Sequence, residues 1–240
     1  MIELKKVESL AKAINAISAF ISEGNFRFND NGISLKAIDP SQIVLVDYSV
    51  SRNAFSKFTV EPTLAGIDLV EFNKILQRIL PKDRLVLELS ESDLHVKLYG
   101  ELERSFKLPL IDVSDDEITI PSPKFDAVLE INARILKEAL KDASLFASSV
   151  VLRLKGKQLT IEAKGSSGML KTIAKETKNV SIKSSGEVVS KYSLNFLSNI
   201  VREADPLKTI KLELKNDAPM KVSYEIGEGK LQFHLAHMIL

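Results

Sequence analysis

The side chains able to do acid–base or metal chemistry are few. The chain has 240 residues, three histidines and no cysteine. His95 and His234 fall in alternating, strand-like runs and His237 lies near the C-terminal end. They form no metal-ligand spacing, and a lone strand histidine reads as structural. Without cysteine there is no disulfide framework and no thiolate zinc site. Gly165-Ser166-Ser167-Gly168 places its serines in the wrong slots for a nucleophile elbow and reads as a turn between strands. Phosphate-cradling glycine loops are missing too: neither a Walker loop nor G-x-G-x-x-G occurs. Asp115-Asp116-Glu117 could attract a cation, although adjacent loop acids are ordinarily just solvated. The expectation is no catalytic residue, no metal, no cofactor and no enzyme.

The chemistry that remains is charge neutralisation. Thirty-three Lys and Arg stand against 32 Asp and Glu, a net charge of +1. A chain that binds a polyanion by bulk charge should be more basic, so this one would have to segregate its charges. Four segments with helical apolar spacing show where it could. The first, Val7 to Ser22, offers Lys12, Asn15 and Ser18 opposite its apolar stripe. The second, Leu69 to Leu80, offers Lys74, Gln77 and Arg78, with Lys82 just beyond. The third offers Arg134, Lys137 and Lys141, and the fourth, Ser193 to Ala204, offers Asn195, Ser198, Asn199 and Arg202. Glu8, Glu71, Glu138, Asp142 and Glu203 share these helices. For one helix this is an ordinary solvated face. Four helices leaning the same way, with acids placed in loops at 91–93 and 113–117, make a phosphate-facing surface the sharper reading. No recognition helix, zinc finger or aromatic stacking motif appears, so contacts would position a nucleic acid without reading its sequence.

The elements that would carry these residues repeat. Leu10, Ile14 and Phe20 recur as Leu136, Leu140 and Phe146, each 126 residues on. A hairpin turning at "NDNG" between Phe28 and Ile33 recurs at "KGKQ" between Leu154 and Leu159. "DLVEFNKILQRILPKDRLVLEL" recurs as "SLNFLSNIVREADPLKTIKLEL", where Leu69 matches Leu194 and Ile75 matches Ile200 at a shift of 125. The pattern predicts an α+β protein of two like domains, each with two helices and many antiparallel strands. Boundaries fall at 1–111 and 127–240, with 112–126 as connector. The 45% hydrophobic content supports real cores, and no membrane-length apolar run or signal-peptide pattern occurs, so a soluble, intracellular protein is expected. The connector, "DVSDDEITIPSPK", is polar except for Ile118 and Ile120.

With the repeat in place, the chain resembles the sliding clamps of DNA replication, and closely the proliferating cell nuclear antigen (PCNA) family of archaea and eukaryotes. "LKAIDPSQIVLVDYSV", "LVEFNKIL", "FKLPLIDV" and "APMKVSYEIGEGKLQFHLA" are similar to family segments in order and spacing over essentially the whole chain. The resemblance implies a trimeric ring of six domains, helices lining the hole and sheets outside, that encircles duplex DNA. It implies that Lys12, Lys74, Arg78, Lys137, Lys141 and Arg202, with Lys82 and Arg134 at helix ends, face the DNA. Subunits would join through Ser105, Phe106, Lys107, Leu108, Pro109 and Leu110 of one copy and Leu170, Lys171, Thr172 and Ile173 of the next. Client proteins carrying a PIP box would dock on Ile38, Gln42, Ile43, Leu45, Ile118, Ile120, Pro121, Pro219 and Ala236. The implied partners are double-stranded DNA, other clamp subunits in a homo- or heterotrimer, a clamp loader, and clients such as DNA polymerase, ligase and flap endonuclease. An archaeal member would sit in the cytoplasm with the nucleoid, a eukaryotic one in the nucleus. Three departures stand out. "LAHMIL" puts His237 where the family commonly has Pro and lacks an acidic tail, Pro109 falls in the subunit-pairing strand, and the first helix has one lysine. They are compatible with a specialised subunit of a heterotrimeric ring. A checkpoint-type clamp subunit would be expected to carry longer insertions, a bacterial-type clamp three repeats, and a scaffold that does not encircle DNA remains the third alternative.

Overall fold

Short apolar alternations and two helix signals per half build the architecture. A computed structural model of the chain describes residues 1–112, 114, 118–120 and 123–240. Chain order in the first half is β1 (Ile2–Leu4), α1 (Val7–Ser18), β2 (Glu23–Asn29), β3 (Gly32–Ile38), β4 (Val44–Ser51), β5 (Phe55–Phe58), β6 (Thr63–Asp68), α2 (Leu69–Leu76), β7 (Arg84–Leu89), β8 (Asp93–Tyr99) and β9 (Arg104–Pro109). The second half runs β10 (Ala127–Asn132), α3 (Ala133–Ser144), β11 (Ser149–Lys155), β12 (Gln158–Gly165), β13 (Gly168–Lys175), β14 (Val180–Ser184), β15 (Val188–Ser193), α4 (Leu194–Val201), β16 (Thr209–Leu214), β17 (Met220–Ile226) and β18 (Gly229–Leu235). The predicted α+β class holds, with two helices and antiparallel sheets in each half.

The chain divides into two compact units. One comprises Met1–Pro40, Val46–Thr119 and Glu225–Leu231, the other Ser41–Leu45, Ile120–Tyr224 and Gln232–Leu240. In the first unit one sheet runs β5-β1-β7-β8-β9, and β6-β2-β3-β4 lie side by side in another. In the second unit one sheet runs β13-β12-β11-β15, and β14-β10-β16 lie side by side in another. Both predicted hairpins form in register, Asn29 opposite Gly32 and Lys155 opposite Gln158. The Asn29 side chain accepts from the Asn31 N–H at 2.9 Å, an Asx turn, and Gly32 takes the positive φ such a turn needs. The sequence "GSSG" turns from β12 to β13 as expected, Gly165 opposite Gly168. A Cβ on Gly165 would stand 1.8 Å from the Phe146 carbonyl oxygen, so the turn packs backbone on backbone there.

The helices bury one stripe each. Leu10, Ala13, Ile14 and Ile17 of α1 are buried, as are Leu69, Phe72 and Leu76 of α2, Leu136, Ala139, Leu140 and Ala143 of α3, and Leu194, Leu197, Ile200 and Val201 of α4. The Asp68 carboxylate caps α2 by accepting from the Glu71 N–H at 2.9 Å, and Asn132 caps α3 through the Arg134 N–H at 3.1 Å. Three helices are shorter than the apolar spacing suggests, α4 among them, which runs only over Leu194–Val201 and ends in three-residue bonds from Arg202 to Asn199 and from Ala204 to Val201. α2 stops at Leu76 rather than Leu80, because Arg78 and Ile79 bond back three residues, to Ile75 and Leu76, and Pro81 cannot continue the ladder. α1 stops at Ser18, with Phe20 bonding back to Ile17 in the same way.

Candidate nucleic-acid and partner interfaces

In the first unit α1 and α2 pack through their apolar stripes and share a neutral polar seam. The Asn73 amide donates to Asn15 Oδ1 at 3.1 Å, and Gln77 donates to Asn73 Oδ1 at 3.3 Å. Asn15, read from sequence as an outward group, therefore ties α1 to α2 through Asn73, while Gln77, also read as outward, braces Asn73 from the end of its own helix. Lys12, Lys74, Arg78 and Lys82 are exposed. Lys74 pairs with Glu71 at 2.6 Å, and that hydrogen bond holds its ammonium above the usual lysine pKa. Both partners are solvated, so the pair contributes little and a phosphate can compete for it. Lys12, Arg78 and Lys82 make no ion pair with any described residue.

The second unit uses its cations differently. The Lys137 ammonium donates to the carbonyls of Arg202 at 2.7 Å and Ala204 at 2.6 Å. It thereby closes the C-terminal end of α4, where carbonyls lack helical partners and the dipole favours a cation. Arg202 bonds Glu203 at 3.2 Å and Asn199 at 3.0 Å. Lys141 forms an exposed pair with Glu138 at 2.8 Å, while Arg134 is exposed and makes no ion pair with a described residue. Of the eight cations singled out by sequence, Lys12, Arg78, Lys82 and Arg134 thus carry open charge, Lys74 and Lys141 exchangeable charge, Lys137 a structural role, and Arg202 a charge held by Glu203 and Asn199.

Among the strands that end a sheet are β9 in the first unit and β13 in the second. Inner strands such as β8 alternate buried and half-buried residues, but no residue of β9 or β13 is buried. On β9 Phe106 and Leu108 are half-buried and Ser105, Lys107 and Pro109 exposed, with Leu110 half-buried just beyond. On β13 Met169 is 65% and Ile173 50% exposed, large apolar side chains beside Lys171, with Leu170 and Thr172 half-buried. An exposed apolar edge invites another strand. Pro109 ends β9, where a missing N–H is tolerated.

The residues assigned to client docking divide between the units. In the second, the Ala236 N–H donates to the Ile43 carbonyl at 2.9 Å, bringing those two residues together. Leu45 is buried, Gln42 is exposed in the left-handed region, Ile120 is half-buried and Pro219 exposed. The loop before Pro219 is fixed: the Tyr192 hydroxyl donates to the Ala218 carbonyl at 3.1 Å and Ser190 Oγ to that of Lys215 at 2.8 Å. Burial pushes the Tyr192 hydroxyl up to about 12, so it stays a donor. In the first unit Ile38 is exposed, and Ile118 is half-buried on the wall of a cavity of about 300 Å³ shared with Asn25, Ser34, Lys36, Leu64 and Ser114. The start of the connector is pinned there by Ile111 N–H to Gly66 O at 3.0 Å and Asn25 Nδ2 to Ser114 O at 3.0 Å. Pro121, and the acids Asp115, Asp116 and Glu117, lie outside the described residues.

Three residues in these regions were not among the expected site residues: His234, read from sequence only as a structural strand histidine, Arg104 and Asp83. His234 precedes Ala236 by two on the C-terminal edge of β18, hence on the same face, and is only 9% exposed. Burial first, then the Lys221 charge, hold its imidazole below the usual histidine range, against an opposing pull from Glu213. Period two from Ala236 was the available signal. Arg104 and Asp83 form a buried ion pair between β9 and the turn after α2. The signal was a charge in the half-buried register of Phe106 and Leu108. Among the described residues no group of three His, Asp or Glu could hold a metal ion.

Residues 1–116 match the N-terminal domain family of proliferating cell nuclear antigen, and residues 119–239 match its C-terminal domain family. The DNA polymerase sliding clamp 1 of Thermococcus kodakarensis is 33% identical over 234 residues, spanning 95% of this chain and 94% of that protein. The DNA polymerase sliding clamp of Pyrococcus abyssi is 34% identical over 235 residues, with the same shares of 95% and 94%. A crystal structure of PCNA from Thermococcus kodakaraensis superposes with a TM-score of 0.93 at 29% identity, covering 99% of this chain and 100% of that one.

Proposed function

Because the chain belongs to the proliferating cell nuclear antigen family, we propose that it is a DNA sliding clamp subunit, a processivity factor that encircles duplex DNA within a trimeric ring. The observation that carries this reading is the family match over both halves of the chain, joined to two units whose helices carry exposed cations without a base-reading element. Lys12, Arg78, Lys82 and Arg134 supply the open positive charge, with Lys74 and Lys141 exchanging a carboxylate for a phosphate. Such contacts hold any sequence and permit sliding. Nothing in this role requires catalysis, so the protein acts as a binding platform rather than an enzyme.

Ring closure by strand pairing fits two edge strands without a buried residue: β9 of one copy would extend the sheet that ends in β13 of the next, covering Met169 and Ile173. Clients would dock on Ile43, Leu45, His234 and Ala236 with Ile120 and Pro219, and on Ile38 and Ile118, by filling apolar pockets with aromatic anchors. The clamp loader, polymerase, ligase and flap endonuclease are the partners this role implies. The relatives named above are archaeal, which favours a cytoplasmic protein associated with the nucleoid, and no helix among the described residues is long and apolar enough to cross a membrane. The deciding experiment loads the protein, alone and with any sibling clamp proteins, onto closed circular DNA with a clamp loader. Retention that is lost when the circle is linearised is expected of a ring. Equal retention on circular and linear DNA would refute encirclement and favour a surface-binding scaffold.

A further inference from the structure

The turn that follows α2 is held from the opposite direction by a strand. Its Leu80 N–H donates to Asp83 Oδ2 at 2.8 Å, and the Asp83 N–H donates back to the Leu80 carbonyl at 3.1 Å. Between them Lys82 is placed in the left-handed region, φ +72°, and exposed. A non-glycine residue is kept in that region only where its surroundings fix it. The fixing groups are visible. Asp83 is buried, its side chain 2% exposed, and Arg104 of β9 forms an ion pair with it while donating through Nη1 to the Arg78 carbonyl at 2.6 Å. Gly100 leaves the room: a Cβ there would stand 2.1 Å from Asp83 Oδ1. One guanidinium thus grips both ends of the segment that carries Arg78 and Lys82, two of the open cations.

We propose that Arg104 is a positioning residue: from the edge strand it fixes the turn after α2 and so presents Arg78 and Lys82 as phosphate contacts. The planar fork suits this task, because one nitrogen holds the carboxylate while another holds a carbonyl. Lysine, a point charge, can keep Asp83 but not both. The cost of burying the pair, including an Arg104 Nε without a hydrogen-bond partner among the described residues, is then retained for placement rather than for stability.

The presentation half rests on the sliding-clamp reading, whereas the holding half does not, and two measurements separate them. Amide exchange of the intact protein reads the turn directly. In Arg104→Met the Leu80 and Asp83 amides should lose about tenfold or more of their protection relative to the β7 and β8 amides, since each depends on a geometry that Arg104 holds. Arg104→Lys should lose less. Unchanged protection, or a loss spread evenly over β7, β8 and β9, overturns the holding role. The second measurement is the salt dependence of equilibrium binding to short linear duplex DNA, on which a ring is not topologically trapped. Arg104→Met should flatten the slope as much as Arg78→Ala/Lys82→Ala, by up to about 1.8 for two phosphate contacts, and adding it to that double variant should change nothing further. A parental slope in Arg104→Met, or a fully additive loss, overturns presentation. If the parent is not retained on closed circles at all, the clamp reading fails and presentation falls with it, while the exchange result still decides what holds the turn.

Discussion

Lys12 and Lys137 look alike in the sequence, each a lysine on a helix with a polar face, and the structure gives them opposite consequences. Lys137→Met removes two hydrogen bonds from a charged donor to the carbonyls of Arg202 and Ala204. Bonds to charged groups contribute about 1.5–3 kcal/mol each when sheltered, and this ammonium is half-buried. Discounting for solvent, and adding a few tenths for the helix dipole, leaves about 2 kcal/mol. For a chain of this size that lowers the thermal midpoint by roughly 4–8 °C. Lys12→Ala/Arg78→Ala touches no ion pair with a described residue, so stability should move by less than about 0.5 kcal/mol. Its effect is on DNA: losing two phosphate contacts reduces the salt slope by about 1.8, which shrinks the affinity drop between about 50 and 200 mM salt some twelvefold. Circular dichroism melting and salt-titrated equilibrium binding to short linear duplex DNA, run on both variants, give a crossed result. The reasoning is refuted if Lys137→Met melts like the parent yet flattens the salt slope, for then its charge faces DNA rather than α4.

Three further outcomes follow from the same geometry. Ile173→Asp places a charge on the exposed edge of β13 and should leave a folded protein that no longer forms trimers by light scattering; an unaltered trimer would remove β13 from the interface. Ile118→Ser/Ile120→Ser should abolish binding of a PIP-box peptide in titration calorimetry while trimerisation persists, whereas retained binding would mean these isoleucines only pin the connector. His234 has its folded pKa below its unfolded one, so between the two values the unfolded chain binds more protons. Stability from this group is therefore present above the ordinary histidine pKa of about 6.5 and lost as pH falls below it, levelling off under the folded value. Urea midpoints at pH 7 and pH 5 should differ less in His234→Gln than in the parent, and equal differences would show that the imidazole is not buried as described.

Local rules made the repeated skeleton legible. "NDNG" and "KGKQ" are hairpin signals that act within four residues, and the register at Asn29–Gly32 and Lys155–Gln158 needs nothing distant. Helix ends were less legible, because Arg78 and Ile79 keep the apolar spacing of α2 while their N–H groups have already tightened to three-residue bonds. The use made of each charge was hidden for a stronger reason. Lys137 finds its acceptors 65 and 67 residues away, and Arg104 finds Asp83 across 21 residues. Polarity and spacing say that a side chain leaves the apolar stripe; only tertiary packing says whether it then meets solvent or a carbonyl.

The repeat sharpens that point, because the two halves solve one packing problem with different chemistry. Where two helices lie side by side, their polar margins need partners. The first unit fills the seam with amides, Asn15, Asn73 and Gln77, which carry no charge and leave Lys12, Lys74 and Arg78 outside it. The second fills it with Lys137, whose position corresponds at the 126-residue shift to Ala11. A lysine there closes α4 but removes one cation from the outer face. Equivalent positions therefore need not bear equivalent charge toward DNA, and two of the three open cations of the first unit, Arg78 and Lys82, follow α2 on the segment gripped by Arg104. If phosphate contact is unequal between the halves, alanine at Arg78 and Lys82 should flatten the salt slope more than alanine at Lys137 and Arg202, and equal effects would show that the seam chemistry has no bearing on the DNA-facing charge.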